Sequence, residues 1–246
     1  MNRLSITPLK LINCLIFCLL FHSSWAQKSI HELWDNELKK FVDAEGRVDY
    51  KRWKEDTILL DAYIAELENN PPKPFWRNND SLGYFINAYN AITVKLILDH
   101  YPIKSIRKLV TPWRLKRFKL NNTFISLNHI EHKILRKMND PRIHFAINCA
   151  SRSCPKLQNS AFFSHKIDQQ LEHATKTFIN DSSKNKISKD NVQLSRIFQW
   201  FAKDFGNKKQ RLNFIRSYTQ ECIDSDVKIR FLNYDWRLND LDKADL

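Results

Sequence analysis

Glycine is nearly absent: Gly46, Gly83 and Gly206 are the only three in 246 residues. A glycine-rich phosphate loop or a turn-dense β-sandwich would need more of them. No P-loop, dinucleotide fingerprint or serine-centred hydrolase elbow is present, so the chain calls for no cofactor. No segment repeats at a solenoid period. Basic residues outnumber acidic ones 40 to 27, yet never run to five in succession. Scattered charge of this kind describes an ordinary basic surface rather than a nucleic-acid tract. An anionic envelope component remains a partner that such a surface suits. The longest apolar run, Leu11 to Phe21, falls short of the ~20 residues that span a bilayer.

That run has a different use. Arg3 and Lys10 precede it, and Ser24-Trp25-Ala26 follows it with small residues at the two positions a signal peptidase reads. Residues 1–26 are expected to be a signal peptide, and the protein to be exported, periplasmic or secreted, with no stable membrane span in its mature form. Cleavage after Ala26 removes two positive charges and no acid, which takes the net charge from +13 to +11. It also removes Cys14 and Cys18 and leaves Cys149, Cys154 and Cys222, an odd number in a compartment that permits disulfides. Hydrophobic content of 43% over the whole chain and seven tryptophans, six of them beyond Ala26, suit one globular domain over residues 27–246.

Helical periodicity is expected over residues 30–44, 53–67, 82–100, 126–138, 160–180, 195–205 and 211–225, with a short helix over 103–109. Residues 115–120 and 123–127 flank Asn121-Asn122 and predict a β-hairpin. Residues 186–188 and 192–194 are expected to pair, and residues 227–234 to form a last strand. The expected fold class is α+β, a helix-dominated single domain with a small, mainly antiparallel sheet. The segment 82–100 is apolar on most sides and should be central. It buries Asn87 and Asn90, which must then tie down a loop or point into a site.

Chemistry concentrates in Arg142 to Leu157, RIHFAINCASRSCPKL. Ile143, Phe145 and Ile147 alternate with His144, Ala146 and Asn148, which predicts a strand delivering a thiol to the polar turn 150–153. Cys154-Pro155 suits a helix or turn entry. On the preceding helix Glu131 stands at the edge of the apolar face, where a carboxylate is costly unless partnered. An arginine such as Arg142, or backbone N–H groups, could serve it.

Six segments carry a family resemblance: GRVDY (residues 46–50), FINAYNAITVKLIL (85–98), SLNHIEHKILR (126–136), RIHFAINCASRSCPKL, LSRIFQWFAKDFG (194–206) and NYDWRLN (233–239). Together they resemble the domain-of-unknown-function family numbered 547, found in exported bacterial proteins and, joined to other regions, in plant proteins. The resemblance implies a single α+β domain. It also implies a likeness to papain-like and transglutaminase-like cysteine enzymes. In papain-like enzymes the cysteine usually precedes its histidine; here Glu131-His132 precedes both cysteines, so such a site would need His144, a histidine after the motif, or a rearranged chain order.

The candidates for nucleophilic catalysis are Cys149 or Cys154 as nucleophile, His132 or His144 as base, and Glu131, Asn148 or Asn90 as orienting group. In a regular strand His144 and Cys149 would face opposite ways, which favours His132. Asn90, Arg142, Asn148, Ser151 and Ser153 are the candidate substrate-binding residues. The expected activity is a thiol-dependent hydrolase, peptidase or acyltransferase acting on a peptide or γ-glutamyl-type amide. The rival is a non-catalytic envelope protein with a structural Cys149–Cys154 disulfide and a basic ligand-binding surface. Redox sensing by the pair is a further alternative. A zinc site from Cys149, Cys154, His132 and His144 matches no common ligand spacing, and no metal is expected.

Overall fold

The computed structural model describes residues 29–243; the signal peptide expected over residues 1–26 lies outside them. Helix α1 (Glu32–Phe41) carries Glu32 and Asp35 in its first turn and Lys39 and Lys40 in its last, each sign at the end the helix dipole favours. It buries Trp34, Leu38 and Phe41. Gly46 then turns the chain at φ +76°, where a Cβ would lie 2.7 Å from Lys156 Cβ. The helix expected over 53–67 is divided into α2 (Tyr50–Glu55), capped by Asp49, and α3 (Ile58–Asn69).

Helix α4 (Asn78–Leu98) is the centre of the fold: from Leu82 to Leu98 every residue but Lys95 is buried. Burial on all sides removes amphipathic contrast, as the sequence suggests. The two asparagines in it are braces. Asn87 accepts from the Phe162 N–H (2.9 Å) and donates to the Phe162 carbonyl (2.8 Å). Asn90 accepts from the Asn148 N–H (2.8 Å) and donates to the Ala146 carbonyl (2.9 Å). Each side chain thus satisfies two backbone groups of a non-helical segment that has no ladder to do so.

The expected hairpin is present as β1 (Lys116–Leu120) and β2 (Thr123–Ser126). Asn121 and Asn122 both adopt left-handed backbone, at φ 47° and 66°, as a tight two-residue turn requires. A continuous helical stretch follows, irregular in pitch: α5 (Leu127–His129), a π turn over Ile130–Ile134 and a 3-10 turn over Leu135–Met138. Beyond the cysteine stretch come α6 (Ile167–Asn180), β3 (Lys186–Ile187), β4 (Val192–Leu194), α7 (Ile197–Trp200), α8 (Lys208–Arg216) and β5 (Ile229–Phe231). Strands β3 and β4 are antiparallel, and β4 and β5 parallel. Among the described residues helix therefore dominates two small sheets, an α+β arrangement. The helix expected over 211–225 ends at Arg216, so Cys222 lies outside it and is exposed. No helix among the described residues is long and apolar enough to cross a membrane.

The strand expected over residues 142–149 is not formed. Asp140 caps, and Pro141 opens, a 3-10 helix over Pro141–Phe145, and irregular chain continues to Cys149. The apolar alternation has another cause. Ile143, Ala146 and Ile147 enter the larger hydrophobic cluster, built around α4, while Phe145 enters a second cluster with Phe178, Phe198 and Phe205. The segment is the seam between two cores, so both of its sides are buried and periodicity does not report its backbone.

Candidate active site

The seam delivers Cys149 to a cavity of about 440 Å³. Tyr89 of α4, Glu131 and His132 of the π turn, His144, Ile147 and both cysteines line it on one side. Trp113, Trp200, Phe201, Tyr234 and Trp236 supply an aromatic wall. Trp200 and Trp236 stack at 5.7 Å between ring centroids, and Tyr234 and Trp236 lie 4.6 Å apart.

Local backbone shapes the thiol turn. Asn148 accepts from the Ala150 N–H at 2.7 Å and donates to the Pro155 carbonyl at 2.7 Å, bridging the two ends of the loop. Ala150 is held at φ 57°, a left-handed conformation that costs a residue with a Cβ roughly 1 kcal/mol or more. The C-terminal segment clamps the loop: Arg152 N–H donates to the Arg237 carbonyl (2.8 Å), and Ser153 Oγ accepts from the Asp235 N–H (2.7 Å).

Both cysteines are free thiols, in hydrogen-bonding contact rather than in a disulfide. The Cys149 N–H donates to Cys154 Sγ at 2.8 Å. Cys149 Sγ lies 3.3 Å from Ser151 Oγ and 3.4 Å from the Tyr234 hydroxyl. Hydrogen bonds from Cys154, and then from Ser151 and Tyr234, outweigh burial and bring the Cys149 thiol from 9 down to about 7. Burial, reinforced by the neighbouring Cys149 charge, pushes the Cys154 thiol up. The two sulfurs are therefore unequal: Cys149 is the more readily ionised thiol, and Cys154, whose thiol holds its proton more tightly, donates to it.

Glu131 does not reach Arg142. Its carboxylate accepts from the Tyr89 hydroxyl at 3.2 Å, and burial raises its pKa from 4.5 to about 7, with the Cys149 charge adding to the rise. Arg142 stands outside the cavity lining, in contact with Asp140, Asp168 and Glu172.

The histidines belong to a network that the sequence does not show. Arg136 grips Asp204 with two hydrogen bonds, of 2.6 and 2.7 Å, and His144 Nε2 lies 2.7 Å from the same carboxylate. Against the burial that would raise it, those partners hold Asp204 well below the usual carboxylate range. Arg136 also donates to His132 Nδ1 at 2.8 Å. Burial, then the Arg136 charge, lowers the His132 pKa; burial likewise lowers that of His144. Arginine carries no acceptor, so the neutral His132 ring must keep its proton on Nε2. His132 is then a hydrogen-bond donor in the cavity rather than a base. His144 gives its Nε2–H to Asp204, stacks on Phe201 at 4.0 Å, and has its buried Nδ1 without a hydrogen-bond partner among the described residues. The side chains that lower the Cys149 thiol are Cys154, Ser151 and Tyr234 rather than either histidine.

Of the remaining sequence candidates, Ser151 touches the Cys149 sulfur, while Asn90, Asn148 and Ser153 hold backbone. Sequence reasoning does not single out Asp204, Arg136 or Tyr234, although segments 126–136, 194–206 and 233–239 that carry them contribute to the family resemblance. Among the described residues no cluster of three or more His, Cys, Asp or Glu side chains is arranged to hold a metal ion.

A family model described as DUF547, protein of unknown function, matches residues 74–179. The match takes in α4, the hairpin, Glu131, His132 and both cysteines; Asp204, Tyr234 and the walls from Trp200 and Trp236 lie beyond it. No curated protein and no solved structure matches the chain.

Proposed function

We propose that this chain, whose residues 74–179 match the DUF547 family model, is an exported thiol-dependent hydrolase or acyltransferase with Cys149 as nucleophile. The carrying observation is the convergence of Cys154, Ser151 and Tyr234 on one half-buried sulfur at an aromatic-walled cavity. Such donors stabilise thiolate without a histidine partner. The substrate class is a peptide or γ-glutamyl-type amide.

Glu131 supplies the proton traffic. The Cys149 thiolate attacks the amide carbon, the C–N bond breaks, and the departing amine takes the Glu131 proton. A thioester on Cys149 and a Glu131 carboxylate result. Water, or an acceptor amine, then attacks the thioester; Glu131 takes its proton, and the C–S bond breaks to restore the thiolate. A carboxyl titrating near 7 suits both halves of this cycle, because each protonation state is accessible at neutral pH. His132, held as an Nε2–H donor by Arg136, polarises the carbonyl oxygen.

The test is acyl trapping. Incubation of the protein with a p-nitrophenyl acyl ester should release a burst of nitrophenol and leave the acyl group on the Cys149 peptide, identified by mass spectrometry. Cys149→Ser should abolish the burst. A wild-type protein that shows no acyl adduct at Cys149 would overturn the proposal.

A further inference from the structure

The pairing of Cys149 with Cys154 exceeds what acyl transfer needs. A hydrolase requires one thiol; here a second is buried against it. The Cys149 N–H, a group often free to bind an oxyanion, is instead committed to Cys154 Sγ at 2.8 Å. The thiols also differ in access: both line the cavity, but Cys149 is half-buried and Cys154 buried. One more accessible attacking sulfur and one buried sulfur in contact with it form the arrangement of a two-electron dithiol centre.

We propose that Cys149 and Cys154 carry out thiol–disulfide exchange with an organic disulfide bearing an apolar or aromatic group. The tryptophan wall beside Cys149 selects that group. In the first step the Cys149 thiolate attacks one sulfur of R–S–S–R′. The substrate S–S bond breaks, R′–S⁻ departs, and a Cys149–S–S–R mixed disulfide forms. Cys149 thereby loses the charge that helped keep Cys154 protonated. The Cys154 proton passes to R′–S⁻, giving R′–SH. The Cys154 thiolate then attacks Cys149 Sγ, expels R–S⁻ and closes the Cys149–Cys154 disulfide. The two protein sulfurs are oxidised by two electrons, and the substrate disulfide is reduced to the thiol R′–SH and the thiolate R–S⁻, which takes its proton from solvent. Closure draws the sulfurs from hydrogen-bonding contact to about 2.05 Å, across a loop already pinned by Asn148 and the C-terminal segment.

The reaction shares Cys149 with the acyl-transfer reading but does not depend on it, and the two fail separately. The probe is 4,4′-dithiodipyridine, added in one equivalent to the reduced full chain, with quenched samples mapped by mass spectrometry so that Cys149 and Cys154 are followed apart from Cys222. Wild type should pass rapidly through a Cys149–thiopyridine adduct to the Cys149–Cys154 disulfide. Cys154→Ser should trap the adduct on Cys149 and extend its lifetime by at least about tenfold. Persistence of the adduct on wild-type Cys149, first attack at Cys154, or failure of both cysteines to react would each overturn the proposal. The acyl-trapping result on the same preparation shows whether Cys149 is reactive as a nucleophile, so an inert sulfur is distinguished from a reactive one that Cys154 does not resolve.

Discussion

Replacement of Glu131 by glutamine is expected to stabilise the protein above neutral pH while slowing acyl transfer. In the folded state burial raises this carboxyl from 4.5 to about 7. A group whose folded pKa is raised contributes stability that is fully present below its unfolded pKa. That contribution is lost as pH rises through the folded value. The window here runs from about 4.5 to about 7, and the gap is worth roughly 3 kcal/mol. Glutamine keeps an acceptor for the Tyr89 hydroxyl and never ionises. Glu131→Gln should therefore match wild type near pH 4 and exceed it by roughly 3 kcal/mol at pH 8. Buried histidines such as His31, held at about 4, impose an opposite slope on both proteins. Only the difference between the two stability profiles isolates Glu131. Urea unfolding at a series of pH values measures it; a difference that stays flat from pH 4 to 8 would show that the carboxyl is not held protonated. Loss of this proton donor should also lower the acyl-transfer rate by about 10²- to 10⁴-fold.

The second large effect concerns the support of the thiol turn. Asn90 satisfies the Ala146 carbonyl and the Asn148 N–H, both in the buried seam between the two cores. Asn90→Ala leaves a donor and an acceptor without partners, and each orphan costs ~1–3 kcal/mol. The expected loss is about 2–5 kcal/mol of unfolding free energy. The brace holds Asn148, the residue next to Cys149, so the variant should also blunt thiol reactivity in whatever fraction remains folded. Denaturant unfolding followed by tryptophan fluorescence tests the first point; a loss below about 1 kcal/mol would place the Asn90 contacts among those that water replaces readily.

Much of the scaffold was legible because its signals are local. Asn121-Asn122 predicts the hairpin by the backbone it tolerates, and the uniformly apolar face of residues 82–98 predicts a central helix. Glu131 on an apolar face predicts a buried carboxyl needing a partner, and Tyr89 supplies one. The seam over residues 141–149 was misread for a physical reason. Its apolar residues alternate because two different cores claim them, not because the chain is extended. That misreading also carried the argument that His144 and Cys149 must face apart. Both residues line the same cavity, and His144 is bound to Asp204.

Long-range partners were beyond local reasoning. Nothing near Arg136 announces Asp204, 68 positions away, and nothing near Cys149 announces Tyr234, 85 positions away. Spacing likewise identified Cys149 and Cys154 as a pair without ranking them. The ranking comes from packing: the Ser151 and Tyr234 hydroxyls, with the Cys154 thiol, meet on the Cys149 sulfur.

The central claim is that Cys149 ionises at about 7, so that a large share of it is thiolate at neutral pH. Its most direct test is iodoacetamide labelling of the folded, reduced protein across pH, with the modified peptide quantified by mass spectrometry. Labelling of Cys149 should rise with a midpoint at about 7, while Cys154 stays protected over the same range. A Cys149 midpoint at the ordinary thiol value of about 8.5, or preferential labelling of Cys154, would contradict the account.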